Sequence, residues 1–497
     1  MLKKIYIIMF LFCCTSFIYG ASNMKEFSLK DYPQSINVFF NSADANFDKN
    51  LLSDSYQEHR LTELKHSYFG TASRDNSPWS QTYIELILSQ QTNSDSLLTV
   101  NNHYYDTYNN YDTKPKNKLV YGKNNKLYVN NWLNKIKQNI DFDSLVNIKY
   151  SASKRAIMIN NGYIRALPTD LPAYYNSNIA GEGKPFDYFQ LSAIYAGTPV
   201  YILGHSVDEK WCLIMSPEYI GWVKAKYIAK ASNDFIKFWQ QKAYANLAGI
   251  TINNVKLNFQ AQSSLESKFH SKYITAYVGM ILPLASQHKS KLTLMLPILG
   301  ANGDAEVGLV NLPQNTASIL PLSASKSNFA LILKSQQGRA YGWGGVNFNN
   351  DCSSEMKSLF TMFGFFLPRN TTHQALAGVA DDITKLSPSE RLNYLIKNGV
   401  PLLTLVHIKG HVLLYLGTYK TKDGDMVAMS YQEKWGIVSK DGNSRSIINA
   451  SVFMPLLLDY PEDDTLSTEA HSKLFELIYL NKFPDEKLKQ TFNDLVS

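Results

Sequence analysis

The fold is decided by residues 341–373, which read YGWGGVNFNNDCSSEMKSLFTMFGFFLPRNTTH. A glycine-rich aromatic loop leads into Asp351 and Cys352, where a helix is predicted to begin, and Gly364 is predicted to end it. Apolar residues recur at helical spacing along this segment, which indicates one buried helical face. The residues of that face are Met356, Leu359, Phe360 and Phe363.

The predicted start of this helix gives Cys352 a chemical role. Unpaired backbone N–H groups and the helix dipole at a helix N-terminus favour a thiolate. We therefore expect the pKa of Cys352 to lie below the value of about 8.5 for a free cysteine, which suits a nucleophile.

The whole chain has a globular composition and is too long for one hydrophobic core. Its 497 residues suggest about three to four domains. An apolar content of 45% with 18% charged residues is typical of folded proteins. The net charge of +7 is spread without a run of five or more basic residues, so no nucleic-acid partner is indicated.

Residues 1–20 have the three parts of a secretory signal. Lys3 and Lys4 form a basic start, an apolar core follows, and small residues after it supply a cleavage region. Lipidation at Cys13 or Cys14 is the less favoured alternative. We expect an exported protein of the periplasm or cell envelope, with no transmembrane span after signal removal, because no later stretch reaches about 18 apolar residues.

After signal removal the chain keeps two cysteines, Cys212 and Cys352. In an oxidising compartment a bridge between them is one interpretation. Cys212 lies in the strand-like run KWCLIMS, where it is typical of a small core residue. A reduced thiol with a chemical role at Cys352 is the favoured interpretation.

The remaining pattern divides the chain into further units. Helical segments without recognisable chemistry come first, short strands separated by polar turns follow and suggest two small barrels, and the catalytic unit comes last. The predicted boundaries are a helical stabilising domain at 23–143, barrels at 144–230 and 231–322, a catalytic domain at 323–460 and a C-terminal helical extension at 461–497.

A thiolate nucleophile needs a base and a third group that holds the base in place. His411 is the predicted base, since it opens a strand directly after Gly410. Gln432, on the second strand of a hairpin that turns near Asp423, offers an amide oxygen to the imidazole. Asp423 and Asp425 are the alternative partners for the imidazole. Both lie in that turn, at the opposite end of the strand from His411.

His407 and His411 in the run HIKGH also raise a zinc hypothesis. The run lacks the glutamate of HExxH, and no third ligand is evident in the sequence. His373 lies nearer to Cys352 in sequence, but on the same local segment. We expect no metal and no cofactor.

Five pieces in order across residues 338–440, namely YGWGG, DCS, FGFFLPRNTTHQ, GHVLLYLG and WG, resemble the NlpC family of papain-like bacterial cell-wall cysteine peptidases. Two further pieces, PFDYFQLSAIYAGTPV and YIGWV, resemble the first bacterial SH3-like barrel of the longer members. The resemblance implies an α+β fold: a papain-like C-terminal catalytic domain preceded by two small SH3-like β-barrels and a helical N-terminal domain.

The family resemblance also implies a reaction, cleavage of the γ-D-glutamyl-L-diamino acid bond in peptidoglycan stem peptides or muropeptide fragments. Carried over by position, Cys352 would be the nucleophile, His411 the base and Gln432 the third residue. Many relatives have histidine at that third place, three residues before Trp435, so this chain departs from them there.

The resemblance further implies a set of residues that contact the substrate. Tyr219, in the YIGW turn, would receive the free amino end of L-alanine, and the Tyr341 hydroxyl would help to hold the oxyanion. Some relatives have Asp-Ser after the arginine of the PR segment, where this chain has Asn370 and Thr371. The implied substrate residues are Tyr219, Tyr341, Asp351, Ser353, Asn370 and Thr371.

Two other functions stay open at the level of sequence. Gln432 and Asn370 are compatible with a wall-binding protein whose catalytic domain is weak or inactive. The same Cys–His pair would also serve an acyl transferase or an amidase.

Overall fold

The structure is a computed structural model that describes residues 24–70, 76–92, 95–258, 273–421, 424–484 and 490–496. The expected signal at 1–20 and the turn residue Asp423 lie outside the described residues. Within the described part, no helix is long and apolar enough to cross a membrane.

The N-terminal region is mainly helical but packs on two separate cores. Leu61 and Leu64 join the core that also contains Phe363 of the catalytic domain, whereas Leu97 packs with Trp222 of the first barrel. The single unit predicted for 23–143 is therefore divided between two neighbours. Its elements are β1 (Met24–Glu26), α1 (Ile36–Phe39), α2 (Asp54–Phe69), α3 (Gln81–Ser89), α4 (Leu97–Tyr108) and α5 (Asn134–Gln138).

The first barrel has apolar residues on both faces of its strands. Cys212 and Ile214 point into its interior cluster, while Trp211 and Leu213 join the cluster shared with the N-terminal helices. Burial on both faces explains why its strands lack a polar alternation. Its strands are β2 (Arg155–Met158), β3 (Gly162–Arg165), β4 (Gln190–Ile194), β5 (Pro199–His205), β6 (Trp211–Met215), β7 (Ile220–Lys224) and β8 (Ile228–Lys230).

The second unit begins with a helix, where strands alone had been predicted. Ser232 caps this helix by accepting a hydrogen bond from the backbone of Phe235, and Ile236 and Trp239 lie on its buried face. The missed signal is this helical spacing of apolar residues. The elements are α6 (Asn233–Ala245), β9 (Leu247–Ile250), β10 (Val255–Asn258), β11 (Tyr273–Ala276), β12 (Ile281–His288), β13 (Lys291–Leu299), β14 (Ala305–Pro313) and β15 (Ala317–Ile319).

The catalytic domain confirms the predicted α+β, papain-like class: a helix that begins at Cys352 packs against a mainly antiparallel sheet. The predicted hairpin is present, since the strand of His411 pairs with the strand of Gln432. The elements are α7 (Lys326–Gln336), α8 (Cys352–Thr361), α9 (Thr371–Gln374), β16 (Val379–Asp382), α10 (Pro388–Asn398), β17 (Thr404–Ile408), β18 (His411–Lys420), β19 (Met426–Val438) and β20 (Arg445–Leu456).

The C-terminal stretch 461–497 was predicted to be helical, and this prediction is wrong for much of it. Strand β21 (Phe475–Tyr479) enters the catalytic sheet between β17 and β16. The sheet order is β1-β20-β19-β18-β17-β21-β16. Helix α11 (Phe492–Val496) packs on the first barrel instead. Tertiary pairing at both edges of β21 overrides the local pattern.

Candidate active site

Helix α8 begins at the predicted residue because its N-terminus is doubly capped. The Asp351 Oδ1 accepts a hydrogen bond from the backbone N–H of Ser354 (3.0 Å), and the Ser354 Oγ accepts one from the backbone N–H of Asp351 (2.8 Å). This capping box fixes the entry of the chain into the helix. Cys352, the first helical residue, is 8% exposed.

The expected low pKa of Cys352 is not found. Burial raises the pKa of this thiol to about 12, and the negative charge of Asp351 adds to the effect. The backbone N–H groups of Val412 and Ser353 and the charge of Arg369 lower the pKa of Cys352, but by less than burial raises it. Desolvation therefore outweighs the helix dipole on which the sequence argument rested.

His411, the predicted base, is likewise held neutral. Burial lowers the pKa of His411 to about 4, and the charge of Lys434 acts in the same direction, while the hydrogen bond to Gln432 opposes both. Lys434 itself forms an ion pair with Glu469. The negative charge of Glu469 acts in the opposite direction and raises the pKa of His411. The site at neutral pH thus contains a thiol and a neutral imidazole.

The structure brings Gln432 to His411, as predicted. The Nε2 of His411 lies 2.8 Å from the Oε1 of Gln432, and the Gln432 amide in turn donates to the Ser430 Oγ (3.2 Å). An amide oxygen only accepts hydrogen bonds, so the proton of the neutral ring lies on Nε2. The Nδ1 of His411 is thereby left as the basic nitrogen.

The two other histidines considered above are engaged elsewhere. A turn at Gly410 places His407 on β17 and His411 on β18, so the two histidines lie on different strands. The Nδ1 of His407 pairs with Glu476 at 2.7 Å, and the Nε2 of His373 pairs with Asp494 at 2.9 Å. Among the described residues, no group of three or more His, Cys, Asp or Glu could hold a metal ion.

Asp351 is also one half of a buried ion pair with Arg369. The two terminal nitrogens of Arg369 donate to its two carboxylate oxygens at 2.9 and 2.6 Å, while the Nε donates to the Ser192 Oγ of the first barrel (2.9 Å). The Ser353 Oγ accepts a further bond from Arg369 (2.9 Å). This arrangement holds the pKa of Asp351 below its usual range and fixes Ser353 beside Cys352.

The other four predicted substrate residues fall into two pairs. Tyr219 is buried within the electrostatic reach of Arg369 and Asp351, and burial raises its pKa. Burial raises the pKa of Tyr341 well above its usual value, and Cys352 and Asp351 contribute to the rise. Both phenols therefore stay protonated and can donate hydrogen bonds in this site.

The second pair, Asn370 and Thr371, is less available for contact with a substrate. The Asn370 Oδ1 accepts the backbone N–H of His373 (2.8 Å) and its amide contacts the His373 ring (2.8 Å), so this side chain caps α9. Thr371 is the first residue of α9 and is partly exposed. The two residues stay predictions as substrate contacts, and the Asn370 amide already has partners.

The glycine-rich loop is fixed by the first barrel. Gly344 has φ +56°, and a Cβ there would overlap the backbone oxygen of Gln190. The Gln190 amide donates to the Gly344 oxygen (2.8 Å), and the Gly344 N–H donates to Asp351 (3.0 Å). The indole N–H of Trp343 donates to the backbone oxygen of Asp187 (3.1 Å). The barrel thus positions the segment that leads into Cys352.

Comparison with known proteins agrees with this architecture. A family model described as an SH3 domain of the SH3b1 type matches residues 172–224. The solved structure of a novel NlpC/P60 endopeptidase from Photobacterium damselae subsp. piscicida is 27% identical; the match covers 93% of this chain and 100% of that one, with a TM-score of 0.76. Along nearly its whole length, this chain is similar in sequence and fold to an NlpC/P60 endopeptidase, and its first barrel is similar to SH3 domains of the SH3b1 type.

An NlpC/P60 family protein from Bacillus cereus is 16% identical, with 63% of this chain and 98% of that chain covered and a TM-score of 0.41. No curated protein sequence matches the chain significantly.

Sequence reasoning missed several residues of this candidate site. Arg369 lies inside the opening segment, and its position just before the cap of α9 was the available signal. Gln190 and Ser192 lie far away in sequence and reach the site only through docking of the barrel. Lys434 and Glu469 likewise meet beside His411 only in the folded chain.

Proposed function

We propose that this chain hydrolyses the γ-D-glutamyl-L-diamino acid bond of peptidoglycan stem peptides, with Cys352, His411 and Gln432 as the catalytic residues. The observation that carries the proposal is the His411–Gln432 hydrogen bond of 2.8 Å on strands that pack against the helix of Cys352. It leaves the Nδ1 of His411 free to act as a base. The endopeptidase from Photobacterium, similar along nearly the whole chain, supports the reaction class.

Acylation begins with a neutral pair, because burial favours the uncharged forms of Cys352 and His411. As the sulfur attacks the γ-carbonyl carbon, its proton passes to the Nδ1 of His411. The Gln432 oxygen holds the Nε2–H of the imidazolium that forms. A neutral amide stabilises this cation less than a carboxylate would, so we expect a moderate turnover rate.

The negative charge of the tetrahedral intermediate needs hydrogen-bond donors. We propose the backbone N–H of Cys352, at the start of α8, and the hydroxyl of Tyr341, which burial keeps protonated. Loss of one such donor typically lowers kcat by about 10²–10³. Asp351 and Ser353 act differently, since Arg369 binds both and fixes the wall beside the nucleophile.

The intermediate then collapses. The carbon–nitrogen bond breaks, the Nδ1–H of His411 protonates the leaving amine of the diamino acid, and a thioester remains on Cys352. His411 next takes a proton from water, the resulting hydroxide equivalent attacks the thioester carbon, and the sulfur leaves with that proton as the thiol.

The first barrel is proposed to bind the amino-terminal end of the substrate. Tyr219 would receive the free amino group of L-alanine, with Asn370 and Thr371 nearby on the peptidase side. Tyr219 is held close to Arg369 and Asp351, which supports this placement. We further propose export to the periplasm or cell envelope, where peptidoglycan fragments occur, on the strength of the signal pattern in residues 1–20.

The defined tripeptide L-Ala-γ-D-Glu-diamino acid tests the proposal. Wild type should release the free diamino acid, Cys352→Ala should not, and Cys212→Ala, which removes the other buried thiol, should keep the activity. Binding without release by wild type would instead indicate an inactive wall-binding protein. Transfer of the acyl group to hydroxylamine without hydrolysis would indicate a transferase.

A further inference from the structure

A buried carboxyl group lies in the first turns of helix α8. Glu355 follows Cys352 by three residues, so the two side chains lie one turn apart on the helix, and Glu355 is 1% exposed. Its Oε1 accepts a hydrogen bond from the Tyr431 hydroxyl (2.5 Å), and its Oε2 accepts one from the Asn350 amide (2.7 Å). Both oxygens are thus bound by groups that lie outside the helix.

Tyr431 connects Glu355 to the predicted base. It directly precedes Gln432 on β19, and the Gln432 oxygen lies 2.8 Å from the Nε2 of His411. The bond between Tyr431 and Glu355 therefore joins the strand that orients His411 to the helix that begins at Cys352.

Asn350 connects the same carboxyl group to the glycine-rich loop. It directly precedes Asp351, the N-cap of α8. Its backbone oxygen accepts a hydrogen bond from the N–H of Gly342 (2.7 Å). Through these bonds Glu355 holds together the three segments that form the candidate site: the loop, the helix and strand β19.

No cation neutralises Glu355 directly. Within the part of the chain that the structure describes, neither of its oxygens bonds to a lysine or an arginine. Arg339 lies near enough to lower the pKa of Glu355, but its guanidinium donates to neutral oxygens instead. Burial raises the pKa of Glu355 and also that of Glu433, a second buried acid that follows Gln432 on β19.

Such burial is costly for stability. A buried acid without a cation lowers the free energy of unfolding compared with an apolar residue of similar volume. Ionisable groups in such surroundings cluster at functional sites. Packing alone therefore does not account for a glutamate at residue 355.

We propose that Glu355 is a positioning residue for the proposed reaction: its carboxyl group fixes the helix that carries Cys352 against the strand that carries Gln432. This inference rests on the proposed function and adds a residue to it. The Cys352 thiol must meet the Nδ1 of His411 for its proton to pass, and a displacement of about 1 Å between reacting groups can lower a rate about 10²-fold. Because Glu355 does not touch the substrate, its loss should lower kcat and leave KM unchanged.

Three single substitutions test this bridge. Glu355→Met replaces the carboxyl group by an apolar one of similar size, and Tyr431→Phe removes only the hydroxyl that Glu355 binds. Each should lower kcat about tenfold to hundredfold, as expected for the loss of a hydrogen bond to a carboxylate. Glu355→Gln keeps an oxygen that accepts from Tyr431, so kcat should stay within about threefold of the wild type.

A double variant separates positioning from stability. In Glu355→Met/Tyr431→Phe no buried hydroxyl lacks its acceptor, so the denaturation midpoint should recover relative to Glu355→Met, while kcat stays low. Thr361→Val is the matched control, because it removes a buried hydroxyl of α8 that bonds only to the helix backbone at Lys357 (2.8 Å), and it should keep kcat. Recovery of kcat together with stability, or an equal fall of kcat in Thr361→Val, would overturn the proposal.

A further readout does not require turnover. Iodoacetamide alkylates Cys352 at a rate that depends on removal of its proton, and mass spectrometry of digested protein separates this fragment from that of Cys212. Alkylation of Cys352 should be about tenfold to hundredfold slower in Glu355→Met than in the wild type, and close to the wild-type rate in Glu355→Gln.

The two proposals fail in different ways. If the wild type releases no diamino acid but alkylation follows this pattern, the hydrolysis is contradicted and the positioning role of Glu355 is supported. If the wild type cleaves the tripeptide and Glu355→Met cleaves it and is alkylated equally fast, the hydrolysis is supported and the positioning role is overturned.

Discussion

The two barrels meet the catalytic domain in different ways. The first reaches it with polar groups: Gln190 holds Gly344 and Ser192 holds Arg369. The second meets it with close apolar and backbone packing, since a Cβ at Gly279 would overlap Ser358 of α8 and one at Gly249 would overlap Met362. The second barrel also shares a continuous core with the catalytic helix.

This difference assigns the two barrels different tasks. Hydrogen bonds to residues beside Cys352 determine geometry, so the first barrel should affect substrate binding and turnover. Apolar burial contributes mainly free energy of folding, so the second barrel should affect stability. The following predictions are ordered by the size of the expected effect.

Arg369 connects Ser192 of the first barrel to the two residues that flank Cys352, so its loss should have the largest effect. Arg369→Gln leaves the buried carboxylate of Asp351 without its bidentate partner, and such a change costs about 3–5 kcal/mol. We expect a large fall in kcat/KM together with a lower free energy of unfolding in denaturant titrations. Arg155→Gln, which removes an arginine from strand β2 of the first barrel, is the control. Wild-type activity in Arg369→Gln would show that the contact between the first barrel and Arg369 does not affect catalysis.

The candidate active site in the catalytic domain should have a pH signature of its own. The pKa of His411 is about 4 in the folded chain and about 6.5 when unfolded. Between those values the unfolded state binds more protons, so stability falls as the pH falls from about 6.5 to 4.

The fall should amount to about 3 kcal/mol by linkage. Unfolding followed across this range should show a smaller fall in His411→Gln than in the wild type. An identical pH profile for both would show that His411 is not buried in its neutral form.

A change in the second barrel should lower stability without altering the site. Gly279→Ala introduces a Cβ against the backbone of Ser358 at a residue with φ +86°, and we expect a loss of about 2–3 kcal/mol. Gly303→Ala is a matched control, since Gly303 has φ +90° but nothing within 4 Å. It should lose about 1 kcal/mol. A changed KM for folded Gly279→Ala would contradict the division of tasks.

The smallest effect is expected at Ser192. Ser192→Ala removes one hydrogen-bond acceptor of Arg369 and should cost about 1–2 kcal/mol, most of it seen as an approximately tenfold fall in kcat/KM. Ser318→Ala, in the second barrel, should leave kcat/KM unchanged. An equal fall in kcat/KM for the two substitutions would contradict the conclusion that only the first barrel affects turnover.

Local signals were enough for part of this site. The cap at Asp351, the helical face after Cys352 and the hairpin that joins His411 to Gln432 all depend on residues close in sequence. The pairing of Arg369 with Ser192 depends on barrel docking, which no local pattern encodes.

Burial accounts for the other departures. The helix dipole at Cys352 is a local effect, but the desolvation that outweighs it depends on the whole fold. Strand β21 forms because it pairs with β16 on one side and β17 on the other. The sequence of its own five residues does not specify a strand.

The central claim is that the substrate acylates Cys352. Rapid acid quenching of the wild type with the tripeptide, followed by mass spectrometry of digested protein, tests it directly. We predict an L-Ala-γ-D-Glu adduct on the fragment that contains Cys352, formed before the diamino acid reaches its steady rate of release. An adduct on another residue, or undiminished release by Cys352→Ala, would contradict the account.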